Sequence, residues 1–213
     1  EPGSAPFLDA LFTATSATCV TGLIVHDTAT YWSYFGQVVI LLLIQIGGLG
    51  VITAAVTFLM LSGKNISLKE RSAMQDAISA PVVGGIVRLT RFILKGTFLV
   101  ELVGALALLP AFCRDYGLRG VWMAIFHSVS AFCNAGFDLM GISGNTFSSL
   151  TAYSGDAIVN LTICALIIMG GTGYVVWGDI WDKKFRYKNF RLHTRIVLWA
   201  TLLLVFVPAL LFF

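Results

Sequence analysis

No charged residue occurs in residues 28–63, a run longer than one bilayer crossing requires. A helix needs about 20 apolar residues to cross the hydrocarbon core of a membrane. A second uncharged stretch lies between Asp156 and Asp179, and a third occupies residues 196–213. The chain is 57% hydrophobic and 12% charged, whereas soluble domains average about 45–50% apolar and about 25% charged residues. These features predict an all-α membrane protein.

The basic residues are concentrated in two places. Of the 14 lysines and arginines, six lie in residues 64–95 and six in residues 183–195. Because cytoplasmic loops of membrane proteins are enriched in lysine and arginine, we expect two cytosolic basic linkers, residues 62–85 and 181–195. Basic clusters also bind nucleic acids, but these two flank predicted membrane spans, so no nucleic-acid partner is expected.

Three apolar blocks lie between the two linkers: residues 86–112, 120–137 and 157–178. If all three crossed the bilayer, the linkers would face opposite sides, against the positive-inside tendency. The middle block is short, contains His127 and is interrupted near Gly136. We therefore expect this block to be a re-entrant segment that enters and leaves on the outer side.

The same arrangement occurs near the start of the chain, where a short helix-compatible run, residues 7–18, precedes a glycine-containing loop. Residues 10–23 align without gaps with residues 124–137, and residues 46–50 align in the same order with residues 169–173. Both copies run in one direction, unlike the inverted repeats of many secondary transporters. The sequence thus predicts parallel repeats of an outer helix, a pore helix with its loop, and an inner helix.

The predicted divisions follow from this repeat. They are the pore helix, filter loop and inner helix of a first repeat (1–61), a cytosolic linker (62–85), a complete second repeat (86–180), a second cytosolic linker (181–195) and the start of a third outer helix (196–213). The chain begins without a methionine and ends inside an apolar run. We therefore expect it to be a piece of a longer protein.

Two irregular loops, residues 18–23 and 132–138, follow the two short helices. Backbone that is not helical is tolerated at membrane depth only where it is buried in protein or lines a watery cavity. A helix C-terminus favours cations, and rings of carbonyl oxygens replace the hydration shell of an ion in channel filters. Gly22 and Gly136 permit backbone angles that other residues avoid. From the residues alone two interpretations stay open: an ion filter, and loops that only pack between spans.

Both loops resemble the pore loops of the Ktr, Trk and HKT superfamily of potassium transporters, closest to those of KtrB-type membrane subunits. The segments that carry the resemblance are TATSATCVTGL (residues 13–23) and FHSVSAFCNAGF (residues 126–137). The resemblance implies a pore of four potassium-channel-like units, each contributing one filter strand with a single glycine. It implies filter residues Val20, Thr21, Gly22, Leu23, Asn134, Ala135, Gly136 and Phe137, and pore-helix ends at Thr18, Cys19, Phe132 and Cys133.

The resemblance also implies the setting of the protein. It implies a multi-pass homodimer in the cell (inner) membrane, in contact with lipid, with its filter loops outside and a cytosolic ring of nucleotide-binding regulatory subunits. K+ would be the transported ion, bound by filter carbonyls only, with Na+ as a candidate activator and no other cofactor. A Na+-permeable or ion-coupled cation symporter of the same superfamily is the alternative, because the residues do not settle selectivity or coupling.

Glycine patches interrupt both predicted inner helices. They comprise Gly47, Gly48 and Gly50 in the first copy and Gly170, Gly171 and Gly173 in the second. Small residues allow helix backbones to approach closely in membranes. Close packing and a hinge in the pore-lining helix are the two interpretations, and they are compatible.

The remaining polar residues allow competing interpretations. Glu101 lies within a predicted outer helix, where a buried carboxylate is costly unless paired, so it is either structurally paired or a cation site. For His127 we expect a hydrogen bond to loop backbone. Asp27 and Asp138 follow the two filter loops, as cation-attracting charges at the mouth or as solvated loop carboxylates. The four cysteines match no metal motif and are expected to be free thiols.

Two other classes of protein fit the sequence less well. A membrane-embedded enzyme would need a nucleophile–base or metal constellation, and the serines, histidines and carboxylates lie at no recognised spacing, so no catalytic residues are expected. A transporter that alternates access around a closed site is disfavoured by the parallel repeats and the paired re-entrant loops.

Overall fold

A computed structural model describes residues 5–50, 86–141 and 145–212, and these residues are mostly helical with no extended strand. In chain order the helices of this part are α1 (Phe7–Thr18), α2 (Tyr34–Leu49), α3 (Ile86–Tyr116), α4 (Arg119–Phe132), α5 (Ala157–Gly171), α6 (Tyr174–Asp182) and α7 (Leu192–Phe212). Short 3-10 turns occupy Thr151–Tyr153 and Tyr187–Asn189. The predicted all-α class is confirmed for the described residues. The linker 62–85 and the end of the first predicted inner helix lie outside them.

Two of the described helices are long and apolar enough to cross a membrane by length and composition. They are Thr90–Tyr116 and Leu192–Leu211. A third span results if α5 and α6 count together, because only Thr172 and Gly173 separate them. These apolar helices agree with the predicted membrane protein.

The chain forms two compact units, and the first comprises Glu1–Ala54 and Thr97–Gly170. Within it α1 packs on α2, and α2 packs on α4. Its core contains fully buried side chains from several helices, among them Ile44, Leu108, Phe112 and Phe126. Between membrane helices such packing stabilises the fold through van der Waals contact.

A buried amide joins the turn before α2 to α4 in this unit. The Trp122 indole Nε1 donates to Gln37 Oε1 at 2.9 Å. The Gln37 amide in turn donates to the Trp32 carbonyl at 3.1 Å. Because buried polar groups are costly when unpaired, this pairing fixes the position of α4 against the start of α2.

The second unit comprises Ala55–Gly96 and Gly171–Phe213. Its helices α6 and α7 pack on each other. The buried Asp179 carboxylate joins them, because it accepts hydrogen bonds from the Thr194 hydroxyl at 2.7 Å and from the Arg191 amide at 2.9 Å. The start of α7 is thereby fixed to α6.

Candidate functional site

The two loops that follow α1 and α4 have matching backbone conformations. The helix-capping residues Cys19 and Cys133 have φ of −83° and −74°. The next residues, Val20 and Asn134, both adopt the left-handed region, with φ of 56° and 57°. Two positions later come the two predicted filter glycines, with φ of 73° and 74°. The loops therefore have corresponding conformations at the positions that the sequence alignment pairs.

Both loops also fold back on their helices through the same hydrogen bonds. The two bonds form a Schellman motif, in which amides beyond a helix end bond carbonyls of its last turn. In the first loop the Val20 amide donates to the Ala17 carbonyl at 3.3 Å, and the Thr21 amide donates to the Ser16 carbonyl at 3.0 Å. In the second loop the Asn134 amide donates to the Ala131 carbonyl at 3.1 Å, and the Ala135 amide donates to the Ser130 carbonyl at 2.8 Å. Glycine usually occupies the left-handed position of this motif. A β-branched residue there, such as Val20, is strained.

The two loops meet at their glycines. A Cβ atom built on Gly22 would lie 2.5 Å from the Ala135 carbonyl oxygen, which is too close for any side chain. The nearest atom to a Cβ built on Gly136 is Gly22 Cα, at 3.8 Å. The predicted filter residues of the two copies are therefore brought together in space, backbone against backbone.

Side chains of α4 support the second loop from behind. The His127 Nδ1 donates to the Met123 carbonyl at 2.7 Å, and its Nε2 accepts from the Leu139 amide at 3.2 Å. Because a carbonyl only accepts and an amide N–H only donates, the ring is the neutral tautomer with its proton on Nδ1. The expected hydrogen bond of His127 to loop backbone is confirmed.

The carbonyl of Phe137 is engaged on the side of the pore helix. It accepts a hydrogen bond from the Ser130 hydroxyl at 2.6 Å. At the aligned position of the first copy, the Ser16 hydroxyl instead pairs with the Thr21 hydroxyl at 2.9 Å. Phe137, whose side chain is buried, thus has the geometry of a support residue in the second loop.

The glycine patches differ in what surrounds each glycine. A Cβ on Gly47 would collide with the Thr18 carbonyl oxygen, and one on Gly170 would collide with the Phe132 carbonyl oxygen. Thr18 and Phe132 are the last residues of α1 and α4. The first patch glycine of α2 therefore packs on the carbonyl that ends α1, and the first patch glycine of α5 packs on the carbonyl that ends α4.

The remaining patch glycines occupy other surroundings. A Cβ on Gly48 would collide with the Cys133 thiol. Gly50 and Gly173 lie where α2 and α5 have ended, with φ of 81° and 85°, and a Cβ on either would have no atom of the described residues within 4 Å. Gly171 is the last residue of α5. Close packing and a local change of backbone direction thus occur at different glycines of one patch.

Asp27 is buried and ties the two outer loops together. Its Oδ1 accepts from the Ala29 and Thr30 amides at 3.0 and 2.9 Å. Its Oδ2 accepts from the Phe147 amide at 2.9 Å. Only 5% of Asp27 is exposed, so it is neither a solvated loop carboxylate nor a charge open to the mouth. Sequence reasoning missed this role, because the Phe147 partner lies far away along the chain.

Replacing Asp27 with alanine is expected to destabilise the fold by about 3 kcal/mol, since several buried amides lose their acceptor. The matched control is Asp156→Ala. The Asp156 carboxylate caps α5, because it accepts hydrogen bonds from the Ile158 and Val159 amides. Loss of a cap costs about 1 kcal/mol. The melting temperature of each variant in detergent measures the difference, and equal melting temperatures would contradict the buried tie.

Asp138 lies beside a cavity behind the second loop. The cavity has a volume of about 270 Å³ and is bounded by the second loop, the following turn and residues of α5, including Asn134, Gly136, Leu150 and Ile163. Burial raises the pKa of the Asp138 carboxyl above its ordinary value, although the Met140 amide, 2.9 Å from Oδ1, acts in the opposite direction. Asp138 is therefore partly withdrawn from solvent.

The described residues contain no cluster of three or more histidine, cysteine or acidic side chains that could hold a metal ion. The cysteines Cys19, Cys113, Cys133 and Cys164 are free thiols, as expected. The polar groups that converge on the site are thus backbone amides and carbonyls, with hydroxyl and imidazole support.

Comparison with known proteins gives a consistent set of relatives. The protein-family model TrkH, described as a cation transport protein, matches residues 2–212. Ktr system potassium uptake protein B of Bacillus subtilis is 45% identical over 199 residues, covering 93% of this chain and 43% of that protein. The potassium/sodium uptake protein NtpJ of Enterococcus hirae is 41% identical over 203 residues, covering 95% and 44%.

A further relative shows the same coverage. Ktr system potassium uptake protein B of Vibrio alginolyticus is 36% identical over 208 residues, covering 96% of this chain and 44% of that protein. The chain thus spans less than half of the length of these curated relatives.

Proposed function

Because this chain belongs to the TrkH family of cation transport proteins, we propose that it forms part of the pore of a potassium uptake system. Membership confirms the resemblance seen in the two loop segments. The observation that carries the proposal is the pair of loops with matching φ angles and hydrogen bonds, which meet at Gly22 and Ala135.

The fold that we propose is a set of parallel units, each with an outer helix, a re-entrant pore helix and an inner helix. The agreement of α1 with α4, in length and in the loop that follows, supports this repeat. The equivalent contacts of Gly47 and Gly170 with the ends of the pore helices support it further. The complete pore would use two more units from the rest of a full-length protein.

In the proposed mechanism K+ loses water at the loops and is held by backbone carbonyls. The C-termini of α1 and α4 place negative partial charge beside the loops, which favours a cation. Gly22 and Gly136 keep side chains out of the narrow passage. The carbonyls of residues 20–22 and 134–136 are the candidate ligands, whereas Leu23 and Phe137 support the loops. The ion passes through without any reaction, so no catalytic residue is required.

A second candidate is a system that also carries or requires Na+. One relative has sodium in its name, the potassium/sodium uptake protein NtpJ. Carbonyl filters select among alkali cations by ligand number, field strength and cavity size. Simultaneous measurement of Rb+ and Na+ uptake separates the two candidates, since coupled transport makes each flux depend on the gradient of the other ion.

The setting of the proposed pore follows from the resemblance of its loops to those of the superfamily and from the charge pattern of the chain. We propose a multi-pass homodimer in the cell (inner) membrane, with the loops after α1 and α4 facing outside. The basic linkers 62–85 and 181–195 would face the cytosol, where a ring of nucleotide-binding regulatory subunits would dock. In residues 183–191 the exposed basic side chains agree with contact to an aqueous compartment.

The proposal is tested by rubidium-86 uptake into proteoliposomes that hold a full-length protein containing this chain. Uptake is measured with and without its regulatory subunits, and with excess external K+ or Na+. We expect uptake that K+ abolishes and Na+ inhibits weakly. A folded protein that gives no Rb+ uptake under either condition would overturn the proposal.

A further inference from the structure

A buried carboxylate lies at a junction of three helices near the second loop. Glu101 of α3 is 5% exposed. Its side-chain Oε1 accepts a hydrogen bond from Gln45 Nε2 of α2 at 2.9 Å. Its backbone carbonyl accepts a hydrogen bond from the Ser128 hydroxyl of α4 at 2.6 Å. Glu101 thus links the outer helix of the second proposed unit to an inner helix and to a pore helix.

The carboxylate has no basic partner in the described part of the chain. The ion pairs found there involve Asp9, Asp115, Asp156 and Asp179, and none involves Glu101. The partner that it does have, the Gln45 amide, is neutral. A buried carboxylate is strongly disfavoured unless a positive charge or several hydrogen bonds balance it. A positive charge that balances the Glu101 carboxylate is therefore missing among the described residues.

The junction lies close to the start of the second filter strand. The Ser128 hydroxyl that bonds the Glu101 carbonyl belongs to the last turns of α4, five residues before Cys133, the residue that caps the helix. A Cβ on Gly48, three residues after Gln45, would collide with the Cys133 thiol. Glu101, the inner helix and the residue that caps the pore helix therefore lie in one cluster.

We propose that Glu101 sets the cation affinity of the pore, because its buried negative charge stabilises the cation held at the adjacent filter strand. The inference rests on the proposed function, because it needs a cation in the filter. The cation supplies the positive charge that the described residues around Glu101 do not. Gln45 fixes the carboxylate in place without neutralising it, so that the charge stays directed at the filter.

The expected size of the effect follows from Coulomb's law. At a separation on the order of 10 Å and an effective dielectric constant of about 20, one unit charge changes the binding of another by about tenfold. The carboxylate does not touch the ion, so it raises the affinity for any monovalent cation and leaves the geometry of the passage unchanged.

The test compares Glu101→Gln with wild type in rubidium-86 uptake by the full-length protein in proteoliposomes. Glutamine has the shape of glutamate and keeps an acceptor for Gln45, but it has no charge. We expect the half-saturating Rb+ concentration to rise about tenfold, with a maximal rate within about twofold of wild type. Inhibition by Na+ relative to that by K+ should stay at its wild-type value, because the lost charge acts equally on both ions. Glu101→Asp, which keeps the charge, should restore most of the affinity.

Ser128→Ala is the matched control, because it removes the bond to the Glu101 backbone and leaves the charge. It is expected to lower the melting temperature without raising the half-saturating concentration. Should Glu101→Gln not fold, Glu101→Met decides by the same criterion. A neutral variant with wild-type affinity but a lower melting temperature would reduce Glu101 to a structural residue. Absence of K+-sensitive uptake in folded wild type would instead overturn the proposed function itself.

Discussion

Gly22→Ala is expected to lower Rb+ uptake by a full-length protein containing this chain at least about tenfold, because a left-handed backbone with a Cβ costs about 1–2 kcal/mol. The added methyl group also has no room. It would lie 2.5 Å from the Ala135 carbonyl oxygen, which belongs to the other loop. One of the two strands must move, and the carbonyls proposed to bind the ion move with it.

The chain offers graded controls for this prediction. Gly136→Ala imposes the same backbone strain at φ 74°, but its Cβ has no neighbour nearer than 3.8 Å. Gly117→Ala imposes a similar strain at φ 57° in the turn between α3 and α4, in open space. We expect the loss of uptake to be smallest for Gly117→Ala, larger for Gly136→Ala and largest for Gly22→Ala. Equal losses in the Gly22 and Gly117 variants, measured at equal folded protein, would contradict close contact of the two loops.

Gly170→Ala is expected to give the largest loss of stability among the patch glycines. Its Cβ would collide with the Phe132 carbonyl oxygen at the end of α4. Backbone at a helix end cannot yield as a side chain can, and overpacking of a tight contact costs about 1–3 kcal/mol or more. We expect a melting temperature several degrees lower in detergent, since about 1 kcal/mol shifts it by about 2–4 °C in a protein of this size.

Gly178→Ala is the matched control for this prediction. Gly178 also lies inside a helix, and no atom of the described residues lies within 4 Å of an added Cβ. Alanine is favoured over glycine in a helix by about 1 kcal/mol, so this variant should melt at or above the wild-type temperature. If Gly170→Ala melts like Gly178→Ala, the inner helix does not pack on the end of the pore helix.

The local signals in the sequence predicted much of the first unit. The helix of residues 7–18 was predicted with the bounds that α1 has, because an apolar run follows Pro6 and ends before the loop of Gly22. The end of α4 at Phe132 agrees with the helix end that the resemblance of the second loop implied. Pattern and periodicity are short-range signals, and these elements depend on short-range preferences.

Long-range features could not be predicted in the same way. The third predicted outer helix starts at Leu192 rather than at residue 196, because Asp179 holds the Arg191 amide and the Thr194 hydroxyl in the first turn. The left-handed conformation of Val20 had no signal, since valine avoids it. Asn134 offered a weak one, because asparagine tolerates positive φ. Contacts between distant segments leave no mark in a single sequence.

The tie between Asp27 and the Phe147 amide has a consequence for the order in which the protein is made. The two residues are 120 positions apart, and at typical rates of synthesis that interval lasts on the order of ten seconds. During this interval the Asp27 carboxylate in the outer loop of the first copy lacks the hydrogen bond from the Phe147 amide. We therefore expect the first copy to stay protease-sensitive at its outer surface until the second has been inserted, so that the two copies mature as one cooperative folding unit.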